Sequence, residues 1–171
     1  MYYCKLLNEY YIMKEIAITS TFYVYQYEEL SIEDKELIDA AKKATETSYA
    51  PYSNFRVGAA VRLKDNTIVC GSNQENAAFP SGICAERTAL FYANANHPNQ
   101  PVIEMAVAAF NNGVFLSAPI PPCGACRQVI LGVEERYKQN IRILLYGEDG
   151  IYVTHSAKAL LPLQFMGDTM L

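Results

Sequence analysis

The spacing of apolar residues changes along this chain, and each change marks an element. Behind Ser31, the apolar residues Leu37, Ile38, Ala41 and Ala44 recur at intervals of three and four, the period that lines one face of a helix. Ser31 stands three residues ahead of Asp34, with Glu33 in the first turn, which is a helix-start signal. The pattern predicts a helix running to Ser48 and ended by Pro51. Residues 55–63 then read as a strand, Asp65-Asn66 as a turn and 67–71 as the returning strand. Residues 84–95 read as helix, closing near Asn96-His97-Pro98, because proline disfavours helix in the residue before it. A buried strand is expected over 102–110, a helix over 123–137, and a strand over 141–146 that turns through 147–150 into Ile151–Thr154. Gly132 inside the last helix costs about 1 kcal/mol relative to alanine, so a kink or unusually close packing is expected there. Ahead of all this, Ile16, Ile18, Phe22, Val24 and Gln26 alternate as in a strand, broken by Thr19-Ser20-Thr21. The order helix–hairpin–helix–strand–helix–strand–strand predicts an α/β fold, with helices covering a central sheet.

At 171 residues the chain fits one domain with a real core, and no repeat, low-complexity tract or linker divides it. Residues 1–30 read as an N-terminal extension that includes a strand, and 31–171 as the main domain. Residues 1–12 precede a second methionine, Met13, so the first stretch is either an extension or a misassigned start. The net charge of -4 and the lack of a basic run disfavour nucleic acid as a partner and favour a small, roughly neutral substrate. Lys5, Glu9, Lys14 and Glu15 interrupt the apolar N-terminus before it reaches signal-peptide or membrane length, so no membrane association is expected.

The chemistry is concentrated in Cys84-Ala85-Glu86 and Pro122-Cys123-Gly124-Ala125-Cys126. Cys123 and Cys126, two residues apart at a helix start, can reach one ion, and Cys84 supplies a third corner of a tetrahedron. Three protein ligands leave the fourth corner open, the mark of a catalytic rather than a structural zinc. Glu86, two residues from a ligand, is placed to move protons there. Two alternatives stand beside this: a closed four-cysteine site completed by Cys70 or Cys4, and a disulfide between Cys123 and Cys126. Thiolate ligands need reducing surroundings, so a cytoplasmic setting is expected.

Four segments carry a resemblance. They are Tyr49-Ala50-Pro51-Tyr52-Ser53-Asn54-Phe55-Arg56-Val57-Gly58-Ala59-Ala60, Gly71-Ser72-Asn73-Gln74-Glu75-Asn76-Ala77-Ala78-Phe79, Cys84-Ala85-Glu86-Arg87-Thr88-Ala89 and Pro122-Cys123-Gly124-Ala125-Cys126-Arg127-Gln128-Val129. Together, and with Leu160-Leu161-Pro162-Leu163-Gln164-Phe165 near the end, they resemble the cytidine deaminase family, in its small, three-cysteine, homotetrameric branch. The resemblance implies a three-layer α/β/α sandwich with a mixed central sheet. It implies one Zn²⁺ per subunit on Cys84, Cys123 and Cys126, with Glu86 as proton shuttle and Arg87 hydrogen-bonded to ligand sulfurs; Arg127, directly after Cys126, is a second arginine near the metal. Asn73 and Glu75 match residues that bind the sugar hydroxyl, Phe55 an aromatic against the base, and Ala85 a backbone contact to the base amide. Phe79 and Phe165 match aromatics that line a neighbouring subunit's pocket, and ordinary core packing is the competing reading for both.

The implied activity is hydrolysis of cytidine and deoxycytidine to uridine and deoxyuridine with release of ammonia, in pyrimidine salvage. Blasticidin S deaminase shares the Cys-Ala-Glu and Pro-Cys-x-x-Cys motifs, but residues 73–76 and the Tyr-Ala-Pro-Tyr-Ser run argue for a nucleoside. Deoxycytidylate and tRNA-editing deaminases usually carry histidine at the position of Cys84 and need a phosphate grip that is not found here. Outside enzymes, the alternative is a non-catalytic zinc-binding interaction module.

Overall fold

A computed structural model describes residues 14–170. The elements, in order, are β1 (Tyr23–Tyr25), α1 (Ile32–Ala44), β2 (Arg56–Leu63), β3 (Ile68–Ser72), α2 (Ala85–Asn96), β4 (Val102–Asn111), β5 (Val114–Phe115), α3 (Gly124–Tyr137), β6 (Arg142–Leu145) and β7 (Ile151–Thr154). The strands form one sheet in the order β1-β7-β6-β4-β2-β3, with β5 paired to β4. The β4–β6 pair is parallel and the other pairs are antiparallel, so the sheet is mixed.

Strand alternation sorts the side chains into two cores. Ala60, Ala106, Ala108 and Leu144 face α1, together with Leu37, Ile38 and Ala41 of that helix. Their sequence neighbours Ala59, Val61, Met105, Val107, Ile143 and Leu145 face the other way, toward Ala89 and Leu90 of α2 and Ile130 and Leu131 of α3. The result is the expected three-layer α/β/α sandwich. Glycine sets the spacing of both layers. A Cβ at Gly58 would lie 2.1 Å from the Ala41 carbonyl oxygen, and one at Gly71 would lie 2.4 Å from the Ala89 nitrogen. Helices α1 and α2 therefore rest directly on the strand backbone, and α2 carries the first metal-ligand candidate at its start.

Ser31 caps α1 by accepting from the Asp34 N–H at 3.1 Å, and Leu37, Ile38, Ala41 and Ala44 are all buried. The helix ends earlier than expected, at Ala44, and a 3-10 turn covers Thr45–Thr47. The hydroxyls of Thr45 and Thr47 donate back to the carbonyls of Lys42 and Ala44 at 2.7 and 3.0 Å, which competes with continued helix.

Three further features depart from the pattern reading. Among the described residues of the N-terminal segment, only Tyr23–Tyr25 forms a strand, pairing with β7 at the sheet edge. Of the alternating set only Val24, 60% exposed, lies in this strand, on its outer side, while Tyr25 packs on the core; Ile16, 73% exposed, precedes the strand. A second omission is the β4–β5 hairpin, whose Asn112 (φ 50°) and Gly113 (φ 86°) are the pair that a tight hairpin turn demands. That signal was present in the sequence. The third is Gly132, which neither kinks α3 nor packs closely, because the helix runs unbroken and nothing lies within 4 Å of a Cβ built there. Gly132→Ala should therefore stabilise the protein by about 1 kcal/mol, raising Tm by about 2–4 °C. An unchanged or lower melting temperature would contradict the open surroundings of this position.

Charged residues pin the layers in a way that periodicity does not reveal. Buried Arg62 on β2 donates to Glu104 at 3.0 Å, to Glu36 at 3.2 Å and to the Glu33 carbonyl at 2.7 Å. Arg142 pairs with Asp34 and, at 3.3 Å, with Glu104, so the first turns of α1 are tied to β2, β4 and β6. Buried Glu134 accepts from the N–H groups of Ile141 and Ala157 and from the Ser156 hydroxyl, joining α3 to the start of β6 and to the turn after β7. Among the described residues no helix is long and apolar enough to cross a membrane.

Candidate active site

Helices α2 and α3 start side by side, and each start is a cysteine. Cys84 and Cys123 are the N-cap residues, both extended (ψ 155° and 164°), and neither side chain caps its own helix. Their sulfurs are free to turn toward each other. Cys126 sits in the first turn of α3, where a separation of three residues returns its side chain to the face of Cys123. The Sγ atoms of Cys84 and Cys123 are 3.8 Å apart, those of Cys123 and Cys126 are 3.4 Å apart, and all three lie within 4.8 Å of one another. Sulfurs held tetrahedrally at 2.3 Å from one zinc would be about 3.8 Å apart, so the cluster fits that ion with little adjustment.

The surroundings favour thiolate. Both helix N-termini carry partial positive charge. The Cys84 thiol is lowered to about 5, because hydrogen bonding from Cys126, with Arg87 and Cys123 adding to it, outweighs burial. Cys126 moves up, since it is the donor to Cys84 and is buried as well. A cation that takes all three sulfurs as thiolates must release the protons that they carry. Arg87 Nη2 donates to Cys84 Sγ at 3.6 Å, and its buried Nε has no hydrogen-bond partner among the described residues.

Glu86, the second residue of α2, is only 4% exposed. Burial pushes its carboxyl up from the ordinary range, and the nearby Cys84 charge adds to the effect. It stands beside the sulfurs without belonging to their cluster. Cys70 belongs to the opposite face of the sheet, with its Sγ toward the Ala40 carbonyl of α1 at 3.9 Å, so it cannot complete a four-cysteine site. Cys4 lies outside the described residues. His97 caps the end of α2, and His155 packs edge-on against Tyr23 at 5.6 Å; neither joins the sulfurs.

A cavity of about 520 Å³ opens on this centre, with Cys84 and Arg87 among its lining residues. Asn73, Glu75, Tyr52, Ser53 and Phe79 also line it. A larger cavity, about 750 Å³, lies between residues 18–23 and 154–166 and contains none of the sulfurs, so size does not locate the chemistry here.

Residues 31–138 match the family model of the cytidine and deoxycytidylate deaminase zinc-binding region. A cytidine deaminase from Halalkalibacterium halodurans is 39% identical over 134 residues, 78% of this chain and 95% of that protein. One from Sporosarcina psychrophila is 47% identical over 96 residues, 56% of this chain and 66% of that protein. A crystal structure of cytidine deaminase from Burkholderia pseudomallei superposes with a TM-score of 0.64 at 45% identity, covering 76% of this chain and 97% of that one.

This chain belongs to the cytidine deaminase family. The matched region is the family's zinc-binding region and contains all three sulfurs, which makes zinc the metal of the cluster. The remaining residues expected from the resemblance fall as follows within this cytidine deaminase fold. Asn73 Oδ1 accepts from the Val57 N–H at 2.8 Å and the Ser48 hydroxyl at 2.5 Å, while Nδ2 donates to the Phe55 carbonyl at 2.9 Å. Glu75 accepts from the Tyr52 N–H and from Ser53. Phe55 is half-buried and does not line the cavity; Ala85 is fully buried as the first residue of α2. Phe79 is 75% exposed and meets Tyr52 edge-on at 5.9 Å, whereas Phe165, 60% exposed, is held through its carbonyl by Gln128 Nε2 at 2.8 Å. Neither is core in the protomer. Arg127 contacts no sulfur directly: it donates to the carbonyls of Pro122 and Leu160 at 2.7 and 2.8 Å, bracing the turn before Cys123. Pattern reading missed Ser48 as a partner of the site residues; no motif singles it out.

Proposed function

We propose that this protein is a zinc-dependent hydrolase that converts cytidine and deoxycytidine to uridine and deoxyuridine with release of ammonia. The observation that carries the reading is a three-sulfur cluster with buried Glu86 two residues from Cys84, which also lines a cavity shared with an amide and a carboxylate. Cys84, Cys123 and Cys126 hold the ion, and bound zinc supplies a Lewis acid that makes water nucleophilic near neutral pH. Glu86 takes a proton from the attacking water and delivers it to ring N3. It then takes the remaining proton from the C4 hydroxyl and passes it to the amino group, which leaves as ammonia while the C4 carbonyl forms. Its raised affinity for protons suits a group that must act as base and then acid. Arg87 offsets the negative charge of the thiolates, which otherwise opposes ionisation of water. Asn73 and Glu75 bind a sugar hydroxyl. The substrate is a nucleoside rather than a nucleotide, since Arg87 is the one basic residue among the described cavity-lining groups and is turned to sulfur.

The purified protein, with zinc quantified, should release ammonia from cytidine and deoxycytidine and leave cytidine monophosphate and blasticidin S largely unchanged. Ammonia from the monophosphate alone would move the reading to a nucleotide deaminase, and none from any compound would leave a zinc-binding interaction module.

The reading extends to assembly. Exposed Phe79 and Phe165 support a homotetramer with pockets completed across subunit contacts, and closed D2 symmetry is the common arrangement for four subunits. Light scattering should give four copies, and Phe165→Ala should raise KM. A fully active monomer would refute both expectations; a tetramer whose Phe165→Ala kinetics match wild type would keep only the assembly. Free thiolate ligands fit a reducing compartment, the cytoplasm.

A further inference from the structure

The Glu75 carboxylate is held by the loop that precedes β2. Its Oε2 accepts from the main-chain N–H groups of Tyr52 and Ser53 at 2.8 and 3.3 Å, and its Oε1 accepts from the Ser53 hydroxyl at 2.5 Å. Ser53 Oγ in turn accepts from the Phe55 N–H at 3.0 Å, so the single hydroxyl hydrogen is committed to Glu75. A carboxylate offers about four acceptor sites; three are occupied, and one remains for the cavity that Glu75 lines. The hydrogen bond from Ser53 is also the main reason the Glu75 carboxyl sits below its ordinary range, which keeps it an acceptor.

Beside it, Asn73 has the complementary vacancy. Main-chain partners at both ends of the amide, the Val57 N–H on Oδ1 and the Phe55 carbonyl on Nδ2, exclude the flipped orientation. With the Ser48 hydroxyl also on Oδ1, the oxygen is saturated and one N–H is left. The two residues together show the cavity one acceptor and one donor, the complement of a hydroxyl group.

We infer that Ser53 is a positioning residue: its hydroxyl sets the Glu75 carboxylate in the orientation that accepts from a sugar hydroxyl, so selection for hydroxylated sugars depends on a side chain that itself need not touch the substrate. The inference rests on the nucleoside-deaminase reading above. Glu75 is anchored to the main chain through Oε2 alone once Ser53 is shortened, and Oε1 is then free to turn to solvent.

Ser53→Ala and Ser53→Thr, made in the full chain, are compared with wild type on cytidine and on 2′,3′-dideoxycytidine, the latter taken as substrate or as competitive inhibitor. A hydrogen bond to a charged group is worth roughly a tenfold change or more in an equilibrium constant. Ser53→Ala should therefore lower kcat/KM for cytidine about tenfold, mainly through KM, while its effect on the dideoxy compound stays within about threefold. Ser53→Thr, which keeps the hydroxyl, should restore most of the loss. Equal losses on both compounds, or none on cytidine, overturn the inference, as does failure of threonine to rescue with melting temperature and zinc content unchanged. Wild-type protein that releases no ammonia from cytidine overturns the functional reading and this inference with it; an active wild type with equal losses overturns the inference alone.

Discussion

Glu86→Gln should lower kcat by about 10⁴-fold or more while zinc content stays normal. The substitution keeps the size of the side chain and removes its ability to carry a proton. General acid–base catalysis contributes typically about 10²–10⁴-fold, and Glu86 serves several transfers in one turnover, so the upper end is expected. Glu86 lies beside the sulfur cluster and not in it, which is why the metal should remain. Burial already disfavours the charged carboxylate, so the neutral amide should be tolerated in the same space without loss of stability. Steady-state kinetics beside elemental analysis decide the matter. Turnover near wild type would remove Glu86 from the proton path, and loss of zinc would move it into the coordination shell.

The second large effect is on the metal itself. Cys126 is fully buried in the first turn of α3, and its sulfur is 3.4 Å from that of Cys123. Cys126→Ala removes one of three ligands and leaves a tetrahedral ion with two. Losses from disturbing a ligand's supporting partners are about 10–100-fold in affinity, and loss of a ligand should exceed that, so the purified variant should contain little zinc and show no measurable deamination. The fold offers an independent readout. A ligand that binds only the folded chain stabilises it by about 4 kcal/mol at a thousand times its Kd, which is roughly 10 °C in Tm for a chain of this size. Wild-type protein should lose that increment on chelation and recover it with zinc, whereas Cys126→Ala should not respond to either. A variant that keeps stoichiometric zinc would show that Cys126 is not a ligand.

Much of this architecture can be read locally. The helix behind Ser31, the strands through 55–71 and the helices opening at Cys84 and Cys123 all follow from short-range periodicity and end signals, and the structure keeps them with small changes at the ends. The errors have local causes too. The threonine hydroxyls that close α1 compete with its backbone, and of the N-terminal alternation only Val24 falls in the edge strand, on its outer side. Periodicity reports that two faces differ and does not say which one is covered.

The sequence by itself determined the ligand types, the three-residue step from Cys123 to Cys126 and the adjacency of Cys84 to Glu86, because these are set by chain spacing and helix geometry. Only the tertiary structure decided that Cys84 meets the other two sulfurs at 3.8 Å while Cys70 is excluded. Cys70 and Gly71 are neighbours in the chain but face opposite layers, and the bare backbone at Gly71 is what lets α2 settle close enough to deliver Cys84. The ties of Arg62, Arg142 and Glu134, and the hydrogen bonds that anchor Asn73 and Glu75, likewise join residues distant in the chain. Their partners exist only once the layers have docked, since a hydrogen bond is specified by position and direction in space, and no local pattern of residues carries that information.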